Sequence, residues 1–183
     1  DSATVNENVV ASTLVYTVTA TDSEDISEDI EFSLKPVDNH DKFNIDSSSG
    51  QVTIVESPDF ETQSIYKFTV VAKDNADNET EKKVTLEVIN LDEVPPKIIS
   101  ADKIIIDENI PKNSIIHIVE ATDNEDISEG ITYHLDMIND YNLFTINENN
   151  GKLIINESPD FESNPSYSLT IIVQDKAKNQ VKQ

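Results

Sequence analysis

The chain repeats itself. Sliding the 183-residue sequence by 101 positions aligns residues 1–82 with 102–183 without a gap, and 29 of the 82 pairs are identical. Two copies of one domain follow, because each copy has the length of an ordinary single domain and has to bury a core of its own. The division expected is a first domain over 1–89, a linker and lead-in over 90–101, and a second domain over 102–183.

The identities cluster in acidic blocks. Glu7-Asn8 returns as Glu108-Asn109, Ala20-Thr21-Asp22 as Ala121-Thr122-Asp123, and Asp74 as Asp175. Glu24-Asp25-Ile26-Ser27-Glu28 returns as Glu125-Asp126-Ile127-Ser128-Glu129, and Glu56 to Glu61 returns letter for letter as Glu157 to Glu162. Core positions keep only their type.

Between these blocks the period is two. Tyr66, Phe68, Val70 and Ala72 alternate with Lys67, Thr69 and Lys73, and Val84, Leu86 and Val88 alternate with Lys83, Thr85 and Glu87. Such alternation marks half-buried strands. Tyr16 to Ala20, Ile30 to Leu34, Phe43/Ile45 and Val52/Ile54 add four more, and a short strand near Ala3 to Asn6 makes seven. No helical period competes. The fold class expected is all-β: two tandem seven-stranded Greek-key sandwiches of immunoglobulin-like size. The second copy stops where its last strand begins, at Val181-Lys182-Gln183. Without that strand the segment Tyr167 to Val173 leaves an open sheet edge, a liability that proteins avoid. A longer polypeptide or a neighbouring chain is expected to supply the strand.

Composition removes whole classes of function. Thirteen Lys plus Arg face 36 Asp plus Glu, a formal charge of -23, which repels nucleic acid and anionic membrane. There is no cysteine for disulfides, thiolate metal sites or nucleophilic chemistry. Three glycines leave little for a phosphate cradle, and no nucleophile elbow or His-Glu-x-x-His stretch occurs. His40, His117 and His134 fall in a loop, an inward slot and an outward slot, which does not make a zinc set or a triad. No enzyme is expected. No apolar run reaches the length of a membrane helix.

Calcium takes six to eight hard oxygens at about 2.3–2.6 Å, so a site needs several acids brought together although they repel one another. With the strands placed as above, Glu7, Asp59, Glu61 and the linker Asn90-Leu91-Asp92-Glu93 emerge at one end of the first domain. Asp123, Glu125, Asp126 and Asp175 emerge at the opposite pole of the second, facing the linker. For Asp46, Asp77 and Asp136 plain turn or surface roles are expected.

In order along the chain stand Glu7-Asn8, Ala20-Thr21-Asp22, Ile30-Glu31-Phe32-Ser33-Leu34, Phe43-Asn44-Ile45-Asp46 with Gly50, Asp59-Phe60-Glu61, Val71-Ala72-Lys73-Asp74 and Asn90-Leu91-Asp92-Glu93-Val94-Pro95. This series resembles the cadherin repeat, in its bacterial form, and the resemblance spans the chain twice. It implies that Glu7, Asp59, Glu61, Asn90, Asp92, Glu93, Asp123, Glu125 and Asp175 bind Ca²⁺ between the domains, with a carbonyl from Leu91. It also implies half-sites: Asp22, Glu24, Asp25 and Asp74 toward a preceding module, and Glu108, Asp160 and Glu162 toward a following one. The linker is one residue shorter than the animal pattern Asp-x-Asn-Asp-Asn-x-Pro, and Asp123-x-Glu125 replaces Asp-x-Asp, which points to two ions in place of three. The absence of tryptophan excludes strand exchange by tryptophan docking.

The function this implies is a calcium-dependent rigid spacer or adhesion module of an extracellular, cell-surface or secreted adhesin. Its partners are neighbouring modules, a surface protein or glycan, and self-association. The alternative is a carbohydrate-binding module of a polysaccharide-handling protein. Of the 11 Phe and Tyr residues, Tyr141 is the one expected in an exposed loop.

Overall fold

In the first copy the alternating segments fold as β1 (Ser2–Asn6), β2 (Leu14–Thr17), β3 (Glu31–Leu34), β4 (Phe43–Ile45), β5 (Gln51–Ile54), β6 (Ile65–Lys73) and β7 (Glu79–Ile89). They are seen in a computed structural model, which describes residues 1–22, 29–124, 127 and 130–183. The chain divides into two compact units, Asp1–Leu91 and Asp92–Gln183.

Unit 1 is a sandwich of two sheets, ordered β1-β7-β6-β3 and β2-β5-β4. The ladders are antiparallel except β1 with β7, which is parallel. Each strand turns one side chain in two inward, so a single core forms from Val5, Phe32, Phe43, Val52, Ile54, Phe68, Val84, Leu86 and their neighbours. Phe43 and Phe68 meet at its centre with ring centroids 4.5 Å apart. The second strand is shorter than the alternation from Tyr16 to Ala20 suggests. It slips register between Leu14 and Tyr16, and its last tie is the Val18 N–H donating to the Gly50 carbonyl at 3.0 Å.

Unit 2 contains β8 (Lys97–Ile98), β9 (Ser114–Ile118), β10 (Ala121–Thr122), β11 (Ile131–Leu135), β12 (Phe144–Ile146), β13 (Lys152–Ile155), β14 (Ile171–Asp175) and β15 (Gln180–Lys182). Its sheets are β11-β14-β15, β12-β13-β9 and the short pair β10-β8. The last strand is thus present as its opening three residues, paired with β14 through Val173 and Val181.

The two copies part company where pairing fails. Residues 103–107 match β1 and residues 166–170 match the first half of β6, yet neither segment forms a strand. In unit 1 both of those segments pair with Lys83–Ile89. The matching positions in unit 2 would be 184–190, beyond the 183 residues of the sequence. Ile104-Ile105-Ile106 is a strongly strand-favouring run, but propensity without a partner does not make a ladder.

Candidate metal centres

At one pole of unit 1, β1 ends and delivers Glu7 into the interior, where it is only 2% exposed. One carboxylate oxygen accepts the Leu91 N–H at 2.6 Å and the other accepts the Phe60 N–H at 2.9 Å. The adjoining backbone reinforces the arrangement, with Glu7 N–H donating to the Ile89 carbonyl and Asn8 N–H to that of Pro58. Glu7 therefore staples the 58–62 loop and the end of β7 to the first strand. Glu61, exposed, brings a carboxylate oxygen within 4.8 Å of one of Glu7.

Asp59 is engaged locally: its oxygens accept the N–H and the hydroxyl of Thr62 at 3.0 and 2.8 Å. The Thr62 hydroxyl, then its N–H, hold the Asp59 carboxyl below the ordinary aspartate value. Asn90 is half-buried, and Leu91 is exposed.

At the other pole of unit 1, Asp22 and Asp74 line one small hollow with Asn78. Asp74 accepts the N–H groups of Ala76 and Asn78 and the Asn78 side-chain amide, each at 2.8 Å. The Asn78 amide is the first cause of its lowered pKa. Glu24 and Asp25 lie outside the described residues, as does Glu125.

Unit 2 carries the densest set. Asp92, Asp123 and Asp175 each offer an oxygen within 4.8 Å of the others. Asp123 and Asp175 are buried, at 7% and 4% exposure, whereas their counterparts Asp22 and Asp74 are only half-buried. Asp123 follows β10 and Asp175 closes β14, so two strand ends aim at one point. Asn179 fixes the third member: its N–H donates to Asp175 Oδ1 at 2.8 Å and its amide donates to the Asp92 carbonyl at 2.9 Å. Asp175 Oδ2 is buried and has no hydrogen-bond partner among the described residues. Three crowded carboxylates in a shielded position repel one another strongly unless a cation sits among them. A hard-oxygen set of this kind fits calcium or magnesium and is foreign to the softer metals. Glu93 stands beside Asp92 and is exposed.

A third group, Glu108, Asp160 and Glu162, gathers at the far pole of unit 2 with oxygens again within 4.8 Å. Glu108 accepts the Phe161 N–H at 3.2 Å, as Glu7 does that of Phe60, but it is exposed. The difference has a cause: Glu7 is covered by the end of β7, and no such segment reaches Glu108. The Ser163 hydroxyl is the main reason that Asp160 titrates low.

Asn179 was not among the residues singled out from the sequence, although Asn78 and Asn179 are one of the identical pairs of the repeat. Asp46, Asp77 and Asp136 have local work. Asp46 caps the 46–50 turn through the N–H groups of Ser48 and Ser49, Asp77 pairs with Lys73, and Asp136 pairs with Lys182. Among the aromatics Phe161, at 62%, is far more exposed than Tyr141, at 37%, which corrects the sequence-based expectation.

A family model for the cadherin domain matches residues 1–89 and again 102–183. Human protocadherin Fat 4 is 32% identical over 180 residues, covering 94% of this chain and 4% of its own length. Cadherin-4 of Caenorhabditis elegans is 32% identical over 162 residues, covering 82% of this chain and 4% of its own. Among solved structures, extracellular cadherin domains 3-6 of protocadherin gamma B2 align over the whole chain and 43% of theirs, at 26% identity and a TM-score of 0.58. The human desmocollin-1 ectodomain aligns with 97% of this chain and 36% of its own at a TM-score of 0.67, but at 20% identity that likeness speaks for the fold alone. The chain spans between 4% and 19% of the length of its first sequence relatives. These relatives are animal proteins, so the bacterial form of the repeat finds no support among them.

Proposed function

The chain belongs to the cadherin family, and on that basis we propose that it is a calcium-stiffened segment of an extracellular adhesive rod. The solved relatives of protocadherin gamma B2 are extracellular domains, and this chain is likewise an extracellular module. The observation that carries the calcium reading is the gathering of Asp92, Asp123 and Asp175 in unit 2, two of them buried.

In this reading Asp92, Asp123 and Asp175, joined by Glu125, hold Ca²⁺ with help from Glu7, Asp59, Glu61, Asn90, Leu91 and Glu93. Calcium supplies positive charge that cancels the repulsion among these acids. The protein supplies the placement: Glu7 fixes the end of β7, and Asn179 fixes Asp92 against Asp175. Because the ion stabilises only the arrangement that assembles its ligands, stiffness follows its concentration, in the range of about 10⁻⁴–10⁻³ M common for extracellular modules. The sets at Asp22/Asp74 and at Glu108/Asp160/Glu162 are half-sites that neighbouring modules complete. The shortened linker Asn90-Leu91-Asp92-Glu93-Val94-Pro95 is what favours a bacterial setting and two ions per junction.

Small-angle scattering and thermal melting with calcium and with chelator test the proposal. A narrower distribution of shapes and a higher Tm in calcium are expected. Identical scattering and melting in both conditions would sink it.

A further inference from the structure

Unit 2 has an open side that unit 1 lacks. A groove of about 550 Å³ runs between residues 102–108 and 164–169, floored by Ile116, Phe144 and Leu153. In unit 1 the same place is filled by the second half of β7, whose Val84, Leu86 and Val88 are all buried. The consequence can be read pair by pair. Val5, Tyr66 and Phe68 are buried, while their counterparts Ile106, Tyr167 and Leu169 are partly exposed, and Phe161 stands at the mouth.

We infer that this groove captures an extended strand from a second polypeptide, with a medium-sized apolar side chain at every second position. Three observations select that occupant. Unit 1 shows the shape that fits, because the repeat places Val84, Leu86 and Val88 against the matching walls. β15 ends where the groove begins and is already paired with β14, so the incoming strand continues an existing ladder. Its backbone finds partners on both sides, parallel to residues 103–107 and antiparallel to 166–170, as β7 does with β1 and β6. The register follows from unit 1: Leu86 lies opposite Ala3 and Tyr66, so the central apolar residue of the guest lies opposite Ile104 and Tyr167. Main-chain pairing with pockets for alternate side chains is an established way of binding a peptide. A second copy of this chain is the weaker guest, because each copy carries a formal charge of -23.

The probe is a synthetic peptide of residues 83–89, Lys-Val-Thr-Leu-Glu-Val-Ile, added to the 183-residue chain in calcium. Saturable binding is expected, with Tm rising with peptide concentration by mass action. Hydrogen-exchange protection at Ile104, Ile106, Tyr167 and Leu169 should rise about tenfold or more, as for amides moved from an open edge into a ladder. Protection of the matching residues of unit 1 should stay the same, since β7 already fills that place. The peptide carrying Leu86→Asp should not bind. The inference is overturned if peptide leaves exchange unchanged, if the Asp-bearing peptide binds equally well, or if the chain without peptide forms a dimer that already protects these amides.

Discussion

The buried carboxylate of Glu7 accepts the backbone N–H of Leu91, 84 positions away, at 2.6 Å. With its second bond to the Phe60 N–H, it ties the first strand, the 58–62 loop and the exit of the last strand into one knot. Glu7→Ala leaves two N–H donors without an acceptor and a hole in a packed place. The expected loss of unit 1 stability is about 2–4 kcal/mol, seen by denaturant unfolding with chelator present. Glu7→Gln keeps one acceptor and should lose about half as much. The same substitutions at Glu108, which is exposed, should change stability by less than about 1 kcal/mol.

Gly50 and Gly151 end equivalent turns with φ of +67° and +65°. A Cβ at Gly50 would stand 2.5 Å from the Val18 carbonyl oxygen, and one at Gly151 would stand 2.3 Å from that of Val119. Both obstacles are backbone and cannot rotate aside. Gly→Ala at either position should cost about 2–5 kcal/mol, combining left-handed backbone strain with overpacking. Gly130 also has positive φ, but nothing lies near its would-be Cβ, so Gly130→Ala should cost only about 1–2 kcal/mol. Thermal melts of the three variants rank them.

The strands were legible because alternation is a local signal, and the open edge of unit 2 was legible because the repeat supplied its own template. The acids of the candidate sites were legible through their recurrence. What could not be read was set by distant partners. Nothing near Glu7 announces that it is buried, because the N–H groups that hold it belong to Phe60 and Leu91. Nothing in Ile104-Ile105-Ile106 shows that it stays out of a sheet, because the strand that pairs its counterpart lies more than 80 positions away. The exposure of Phe161 has the same origin, in a groove wall with no strand against it.

Asp46 makes the acid side of the stability profile testable away from any candidate metal centre. The Ser49 N–H, the Ser49 hydroxyl and the Ser48 N–H hold its folded pKa below 3.8, in that order of importance. A depressed carboxylate stabilises the fold fully above the unfolded pKa, and that contribution is lost as pH falls through the folded value. Asp46→Asn keeps an acceptor but removes the charge. Relative to this variant, the native chain should hold a constant advantage above about pH 5 that shrinks below pH 4 and vanishes once Asp46 is protonated. Urea unfolding across this range in chelator checks the sign, and a difference that grows with acid would contradict it.

Asp175 separates the cost of the acidic cluster from its use. Asp175→Asn retains the acceptor for the Asn179 N–H while removing one of three charges that lie within 4.8 Å of one another. In chelator the variant should be as stable as the native chain or more so, because repulsion among Asp92, Asp123 and Asp175 is relieved. In millimolar calcium the order should reverse, with calcium affinity lower by about tenfold or more, equivalent to about 1.4 kcal/mol of binding. Calorimetric calcium titration alongside melting in both conditions reads the crossing directly. A variant that is weaker in chelator and equal in calcium would mean that the cluster serves the fold, with Asn179 holding the strand end, and that the ion is held elsewhere.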